Sequence, residues 1–323
     1  MKPKILVVGS LVMDLIVTTE RFCNAGETVI GNGFSTAPGG KGANQAVQAA
    51  RLGADVTMVG KVGNDDFGKN LINSAKASGV NTEYIFVTDS APTAIGNVQI
   101  QKNENGTENR IIVVPGANFE LTVEDVAFLD EKIADYDMVI MQHEIPQEVN
   151  VNVAQFAKAK GVPVMLNPAP SAEVPKELIS CLTYISPNEH EAEDIVGIKP
   201  DGEDAIEKAV QGLHNLGVKN VLITLGKAGC VLSDGLTFIE SPSVDVAPVI
   251  DPTAAGDSFI GAFCTAKSAG LDFDNSLLFA NCTAGITVSR MGAQTSLPTF
   301  DEVISVMGEK GYKTEIYKGI KGE

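Results

Sequence analysis

The sequence predicts an α/β fold: a mostly parallel central sheet, helices on both faces, and a small β-sheet lid. Three observations carry this. Strand-like and helix-like segments alternate from residue 138 to residue 225, and repeated strand–helix units imply parallel pairing with helices on both faces. Lys4–Val8 is a short continuous apolar run ending at Gly9, as in a strand buried on both faces. Two β-rich insertions, 12–37 and 93–115, interrupt the alternation and are too small to hold separate cores. Together they read as one lid. The core is assigned to 1–11, 38–92 and 116–310, and a Lys-rich tail, loosely held, to 311–323.

The elements follow in order. Asp14–Thr19 and Thr28–Ser35 carry Thr, Val, Ile and Phe at partial alternation, punctuated by Gly26, Gly31 and Gly33, and read as short exposed strands. Residues 37–53, APGGKGANQAVQAARLG, place two glycines and Lys41 ahead of an Ala- and Gln-rich helix that stops at Gly53. Asp55–Gly60 reads as a strand and Asp65–Ser78 as a helix. Ala94–Gln101 and Arg110–Val114 are strand-like around the polar turn Asn103–Gly106. Strands Met138–Gln142, Val164–Asn167, Tyr184–Ser186 and Val221–Leu225 alternate with helices Gln147–Lys160, Glu189–Val196 and Glu203–Leu216. Val231–Ser233 and Thr237–Glu240 form a hairpin around Asp234-Gly235, a favoured two-residue turn. An apolar strand-like run, Val244–Ile250, leads into helix Asp257–Ser268; helices Asn275–Ser289 and Asp301–Gly308 follow.

Bulk properties exclude several functions. With 323 residues, 44% of them hydrophobic, the chain has ample material for one large core. A formal net charge of −17 without a basic stripe disfavours nucleic acid and anionic membrane as partners. ATP stays compatible, because local N–H groups and a metal hold phosphates even in an acidic protein. No signal peptide is read in MKPKILVVGS, and no apolar run approaches the ~20 residues of a membrane helix. Cys23, Cys181, Cys230, Cys264 and Cys282 are scattered without a CxxC pair, which points to a reduced, cytoplasmic protein with structural thiols. His143, His190 and His214 lack metal-ligand spacing and default to structural roles.

The stretch with the most chemistry is Asp251–Ala262, DPTAAGDSFIGA. Small residues open onto a helix whose first N–H groups lack internal partners and carry the positive end of the dipole. Such a turn lets an anion approach closely, and Asp257 sets a carboxylate beside it. An anion cradle next to a carboxylate suits moving a phosphoryl group onto a hydroxyl. The same letters also suit ordinary N-capping. The Gly-rich turn before Lys41 is a second candidate polar-ligand site. G-x-x-x-x-G-K-[ST] is absent, as is G-x-G-x-x-G after the first strand, which argues against a P-loop kinase and a dinucleotide-binding dehydrogenase.

GGKGANQA at Gly39–Ala46, NPAP at Asn167–Pro170, SPNEHEAE at Ser186–Glu193, TLG at Thr224–Gly226 and DPTAAGDSF at Asp251–Phe259 occur in this order. Together they resemble the ribokinase family of carbohydrate kinases, the PfkB type, over residues 4–309. The resemblance implies a three-layer α/β/α sandwich with a β-sheet lid. It also implies transfer of the γ-phosphoryl group of ATP to a sugar hydroxyl, with Mg²⁺ and a K⁺ activator, in a cytoplasmic homodimer joined through the lid. Residue by residue, it makes Asp257 the catalytic base and Ala254, Ala255 and Gly256 the anion hole. Asn188 and Glu191 would place Mg²⁺, through water, and phosphate. Thr224 and Gly226 would lie beside the nucleotide, and Asn281 near the adenine. Asp14, Gly40, Lys41, Asn44 and Glu144 would hold the sugar, although Glu144 taken alone reads as a solvated charge. Asp251, Thr253, Thr287, Arg290, Gly292 and Ser296 would form the monovalent-cation loop.

One departure matters. Gly9–Asp14 reads GSLVMD, with Val12 where ribose kinases of the family carry Asn, and Ile260 likewise replaces an Asn. The expected activity is a pentose kinase making the 5-phosphate. Ribose leads as acceptor, with 2-deoxyribose, other sugars and nucleosides as alternatives. A non-catalytic sugar sensor on the same fold is the rival of a different class.

Overall fold

The computed structural model describes residues 2–103 and 106–322. The strands are β1 Lys4–Val8, β2 Val12–Thr19, β3 Gly33–Gly39, β4 Asp55–Gly63, β5 Asn81–Thr88, β6 Ile95–Asn103 and β7 Gly106–Val114. β8 Met138–Met141, β9 Val164–Leu166, β10 Tyr184–Ile185, β11 Asn220–Thr224, β12 Cys230–Ser233 and β13 Phe238–Ser241 follow. The helices are α1 Lys41–Arg51, α2 Asp66–Ala77, α3 Val123–Val126, α4 Leu129–Lys132, α5 Gln147–Lys160 and α6 Lys176–Ile179. α7 Glu189–Val196, α8 Glu203–Asn215, α9 Ala255–Ser268, α10 Phe273–Val288 and α11 Phe300–Glu309 complete them.

Nine strands form one sheet in the order β13-β12-β11-β10-β9-β8-β1-β4-β5. It is parallel from β5 across to β11 and antiparallel only at β12 and β13. Successive side chains of a strand point to opposite faces, and β1 shows why this makes three layers. Ile5 and Val7 join a core that includes α1, α9 and α10; Leu6 and Val8 join a second core against α5 and α8. This is the α/β/α sandwich expected. A separate four-stranded sheet runs β3-β2-β6-β7.

Four differences from the sequence reading have physical causes. Val244–Ile250 is not a strand; Pro248 interrupts it, Val249 and Ile250 are exposed, and the Ile250 N–H donates to the Val288 carbonyl at the end of α10. The second strand of the small sheet lies at Gly33–Gly39 rather than Thr28–Ser35, because pairing with β2 sets its register, Thr18 opposite Gly33 and Val12 opposite Gly39. β5, an edge strand with the run NTEYIFVT, and the short helices between 116 and 135 are additional elements, each too short or too exposed to carry a strong apolar period. Finally, the tail is docked. Residues 315–321 form a 3-10 turn that buries Tyr317 and Ile320 completely, Tyr317 stacking on Phe279 at 5.1 Å. The Lys-rich composition hid an apolar pair spaced for one helical face. The turn expected at Asn103–Gly106 has its middle, 104–105, outside the described residues.

Candidate active site

The sheet brings NPAP, SPNEHEAE and TLG together because they follow the consecutive parallel strands β9, β10 and β11, and α1 and α9 set GGKGANQA and DPTAAGDSF beside them. Ligands bind outside the carboxyl ends of such strands where the chain order reverses, here between β1 and β8. A cavity of about 220 Å³ opens beyond that edge. Lys41 of α1, Asn167 and Ala169 after β9, Ser186 and Asn188 after β10, Glu191 of α7 and Thr224 of β11 line it. Pro252, Ala254, Ala255, Gly256, Asp257 and Ile260 close it from the α9 side.

The α9 start has the geometry its letters suggest. Ala254, the N-cap, adopts a left-handed backbone (φ 61°), alone among the described non-glycine residues. The Ala255 N–H donates to the Pro252 carbonyl at 3.2 Å, so that donor of the expected anion hole already has a partner. The Gly256 and Asp257 N–H groups stand in the first turn, where no helical acceptor reaches them. A Cβ at Gly256 would meet only open space.

Asp257 is buried, 7% exposed, and both its oxygens are held from α1. Asn44 Nδ2 donates to Oδ2 and Gln45 Nε2 to Oδ1, each at 2.9 Å. Burial depresses the Lys41 ammonium, but the carboxylates of Asp257, Glu144 and Glu191 outweigh it and leave its pKa above the ordinary lysine value. Lys41 is therefore a fixed cation among three carboxylates. Burial raises the Glu191 carboxyl above its usual range, opposed by the Asn188 N–H and by Lys41. Asn188 and Glu191 form a reciprocal cap on α7: the Glu191 N–H donates to Asn188 Oδ1, and the Asn188 N–H to Glu191 Oε2, each at 2.9 Å.

The other sugar-side residues lie behind Lys41. Glu144 accepts from the Lys41 N–H at 2.9 Å and from the Ser10 hydroxyl, which in turn accepts from the Gly42 N–H. Gly40 takes φ 91°, and a Cβ there would press on the Val12 N–H and the Ser10 carbonyl. Asp14 sits on β2, its carboxylate flanked by Gly39 and Gly96; a side chain at either glycine would collide with it. Among the described residues no hydrogen-bond donor reaches Asp14. Burial first, then the nearby Glu144 charge, raise its pKa to about 6. Val12, two residues back on the same strand face, is 4% exposed.

Some predicted residues lie outside the cavity. Gly226 opens the 3-10 turn after β11. Asn281, on α10, donates to Ser241 Oγ at 2.9 Å and ties that helix to β13. The cation-loop residues form a knot beside α9. Asp251 accepts from the Thr253 and Gly292 N–H groups, each at 2.9 Å. Arg290 pairs with Glu302 at 2.7 Å. The Thr287 and Ser296 hydroxyls are committed to the carbonyls of Thr283 and Ala293. Among the described residues, no group of three or more His, Cys, Asp and Glu gathers to hold a metal, and no helix is long and apolar enough to cross a membrane.

The family model for pfkB carbohydrate kinases matches residues 2–300. The chain belongs to this family. Ribokinase of Bacillus subtilis (strain 168) is 42% identical over 299 residues, covering 93% of this chain and 97% of its own. Ribokinase of Lactococcus lactis subsp. lactis (strain IL1403) is 38% identical over 307 residues, with 95% and 97% covered. Among solved structures, Arabidopsis thaliana ribokinase complexed with ribose and ATP superposes with a TM-score of 0.88 at 34% identity, covering 95% of this chain and 99% of that one. As a PfkB-family carbohydrate kinase, the protein is a phosphotransferase with an alcohol acceptor.

Sequence reading of this PfkB chain missed its buried amides. Gln45 and Gln142 are fully buried at the site, and Asn118 holds the β1–β2 turn through the Leu11 N–H and carbonyl, each at 3.0 Å. A signal existed for one of them. In GANQAVQAA, amides stand among alanines on a helix that small residues let neighbours approach closely.

Proposed function

We propose that the chain transfers the γ-phosphoryl group of ATP to the 5-hydroxyl of D-ribose, giving ribose 5-phosphate and ADP. The observation that carries this is Asp257: a carboxylate held at both oxygens, lining the cavity at a helix N-terminus, in a PfkB chain whose relatives named above are ribokinases. Asp257 accepts the hydroxyl proton as the oxygen–phosphorus bond forms, an effect of about 10²–10⁴-fold. The Gly256 and Asp257 N–H groups, with Lys41, face the charge on the transferred group. Asp14, Asn44 and Glu144 pair with sugar hydroxyls, since their oxygens accept and the Asn44 amide also donates.

The donor chemistry fits Mg²⁺, a hard cation that keeps several waters. Glu191 and Asn188 would hold it through water, because their cap already occupies direct ligation sites. When bound, the ion neutralises phosphate charge. For a monovalent cation such as K⁺, the Thr287 and Ser296 hydroxyls are committed, so the main-chain carbonyls of the 251–253 and 287–296 loops are the fitting oxygens. The small sheet acts as a lid that excludes water from the acceptor site, and lid-to-lid contact forms a homodimer. Assay of ADP release across a sugar panel tests the reading. Ribose turnover abolished in Asp257→Asn supports it; release with no sugar above the water background, or an unaffected variant, overturns it.

A second acceptor has its own observation. Val12 shares a strand face with Asp14 and offers only methyl groups where ribose kinases of the family carry Asn, which favours an acceptor with one hydroxyl fewer, 2-deoxyribose. A buried hydroxyl left without a partner loses roughly 1–3 kcal/mol, ~5–150-fold. Val12→Asn should raise the ribose to 2-deoxyribose ratio of kcat/KM by that order; an unchanged ratio makes Val12 packing alone.

A further inference from the structure

The carboxylate of Asp257 is held by more than the residues around the cavity. Gln45 is fully buried and lies outside the cavity lining. Its Nε2 donates to Asp257 Oδ1 at 2.9 Å and to Asn167 Oδ1 at 3.2 Å, so both its protons are committed. Its Oε1 accepts from Gln142 Nε2 at 2.6 Å. Asn167 Nδ2 donates in turn to the Ser186 carbonyl at 3.0 Å.

The direction of every bond in this chain follows from chemistry alone. An ionised carboxylate only accepts, so Gln45 must present its NH₂ to Asp257. Its carbonyl then faces Gln142, which must present its own NH₂. At the other end the Ser186 carbonyl only accepts, which turns the Asn167 oxygen toward Gln45. Two independent ends impose one orientation on Gln45, while Gln142 Oε1, at the far end, is buried without a hydrogen-bond partner among the described residues.

We infer that Gln45 is a positioning residue: through Oδ1 it fixes the orientation of the Asp257 carboxylate that receives the substrate proton. Each carboxylate oxygen carries one amide bond and keeps one lone pair open, and the Asn44 oxygen has no partner among the described residues. The charged groups acting on this region are Lys41 of α1, Glu144 after β8 and Glu191 of α7, all unchanged by the substitutions below. The inference rests on the kinase reading above.

The test is Gln45→Met, which keeps length and burial and removes the donor, beside Gln142→Met, which removes only the bond to the Gln45 carbonyl. Near-attack geometry lost by misplacement is worth on the order of 10²-fold. Gln45→Met should lower kcat by about 10–100-fold with the KM values for sugar and ATP within about threefold, and should move the acidic limb of the kcat–pH profile upward. Gln142→Met should do the same more weakly, and carries the test if Gln45→Met does not fold. A folded Gln45→Met with kcat within about twofold and an unmoved acidic limb overturns the inference while leaving the kinase reading intact. So does Gln142→Met alone with both readouts unchanged, if it is the only variant that folds. Wild-type protein inert with every sugar overturns the kinase reading, and the inference with it.

Discussion

Asp14→Asn should make the ligand-free protein more stable and a worse binder of sugar. Asp14 lies against Gly39 and Gly96 with no donor among the described residues, and its pKa stands at about 6 rather than 3.8, through burial first and the Glu144 charge second. The folded value exceeds the unfolded one. Such a group contributes its full stability below the unfolded pKa and loses it as pH rises through the folded pKa. Here that window runs from 3.8 to about 6. Above it, the ionised carboxylate works against the fold by at most about 3 kcal/mol, at ~1.4 kcal/mol per pKa unit.

Asparagine keeps the shape and removes the charge. Urea unfolding at about pH 8 should therefore show Asp14→Asn gaining about 1–3 kcal/mol, and the gain should shrink toward zero near about pH 4. Sugar affinity should move the other way. Hydroxyls that donate to a carboxylate are charge-assisted partners worth about 1.5–3 kcal/mol, so binding should weaken ~10–150-fold. Those donors also favour the ionised form. Ribose binding in the wild type should release a proton near about pH 6, and its KM should rise as pH falls below that. Calorimetric titration in buffers of different ionisation enthalpy reads the proton directly. A variant less stable than wild type at pH 8, or one whose gain is the same at both pH values, would refute the reasoning.

Three further substitutions probe other links. Ala254→Gly should relieve the left-handed backbone (φ 61°) and raise the urea midpoint, by about 0.5–1 kcal/mol, with kcat unchanged; a lower midpoint would mean that the methyl group packs. Tyr317→Ala removes a fully buried ring stacked on Phe279 and should destabilise by about 3–5 kcal/mol, whereas a loosely held tail would register almost nothing in the same unfolding curve. Gly261→Ala should matter twice over. An added Cβ would stand 2.9 Å from the Gln45 carbonyl and 3.0 Å from Gln48 Cβ, forcing α9 off α1. We expect about 1–3 kcal/mol of lost stability together with lower kcat, because Asp257 rides on α9 and its partners on α1; an active, stable variant would show that the helices give way freely.

What could be read from the letters was whatever the chain keeps local. The β1 strand needed only its apolar run and Gly9, and α5 and α7 matched to the residue because their ends carry their own signals. The cavity was legible for the same reason. Asn188, Glu191 and Thr224 sit at or just past the ends of β10 and β11, which a parallel sheet delivers to one edge, and the 254–257 turn opens a helix whose start is marked by its own small residues. β3 was misplaced because its register belongs to β2, and Val244–Ile250 misread because hydropathy cannot see that no strand lies beside it.

The amide chain marks the boundary of that logic. Gln45 and Asp257 are 212 positions apart, and nothing in either neighbourhood states that they touch. Yet the composition of α1 holds the clue in a different form. Asn44, Gln45 and Gln48 are buried on a helix of mostly small residues, and a buried amide must find partners. Gln48 reaches the Pro298 carbonyl at 2.9 Å, and Arg51, one turn on, the Gln294 carbonyl at 2.6 Å and the Leu297 carbonyl at 2.8 Å. One helix thus touches Asp257 at its start and the loop after α10 at its end. That a rigid element ties the base to the proposed cation loop follows from those bonds, whereas the identities of the far partners came only with the fold.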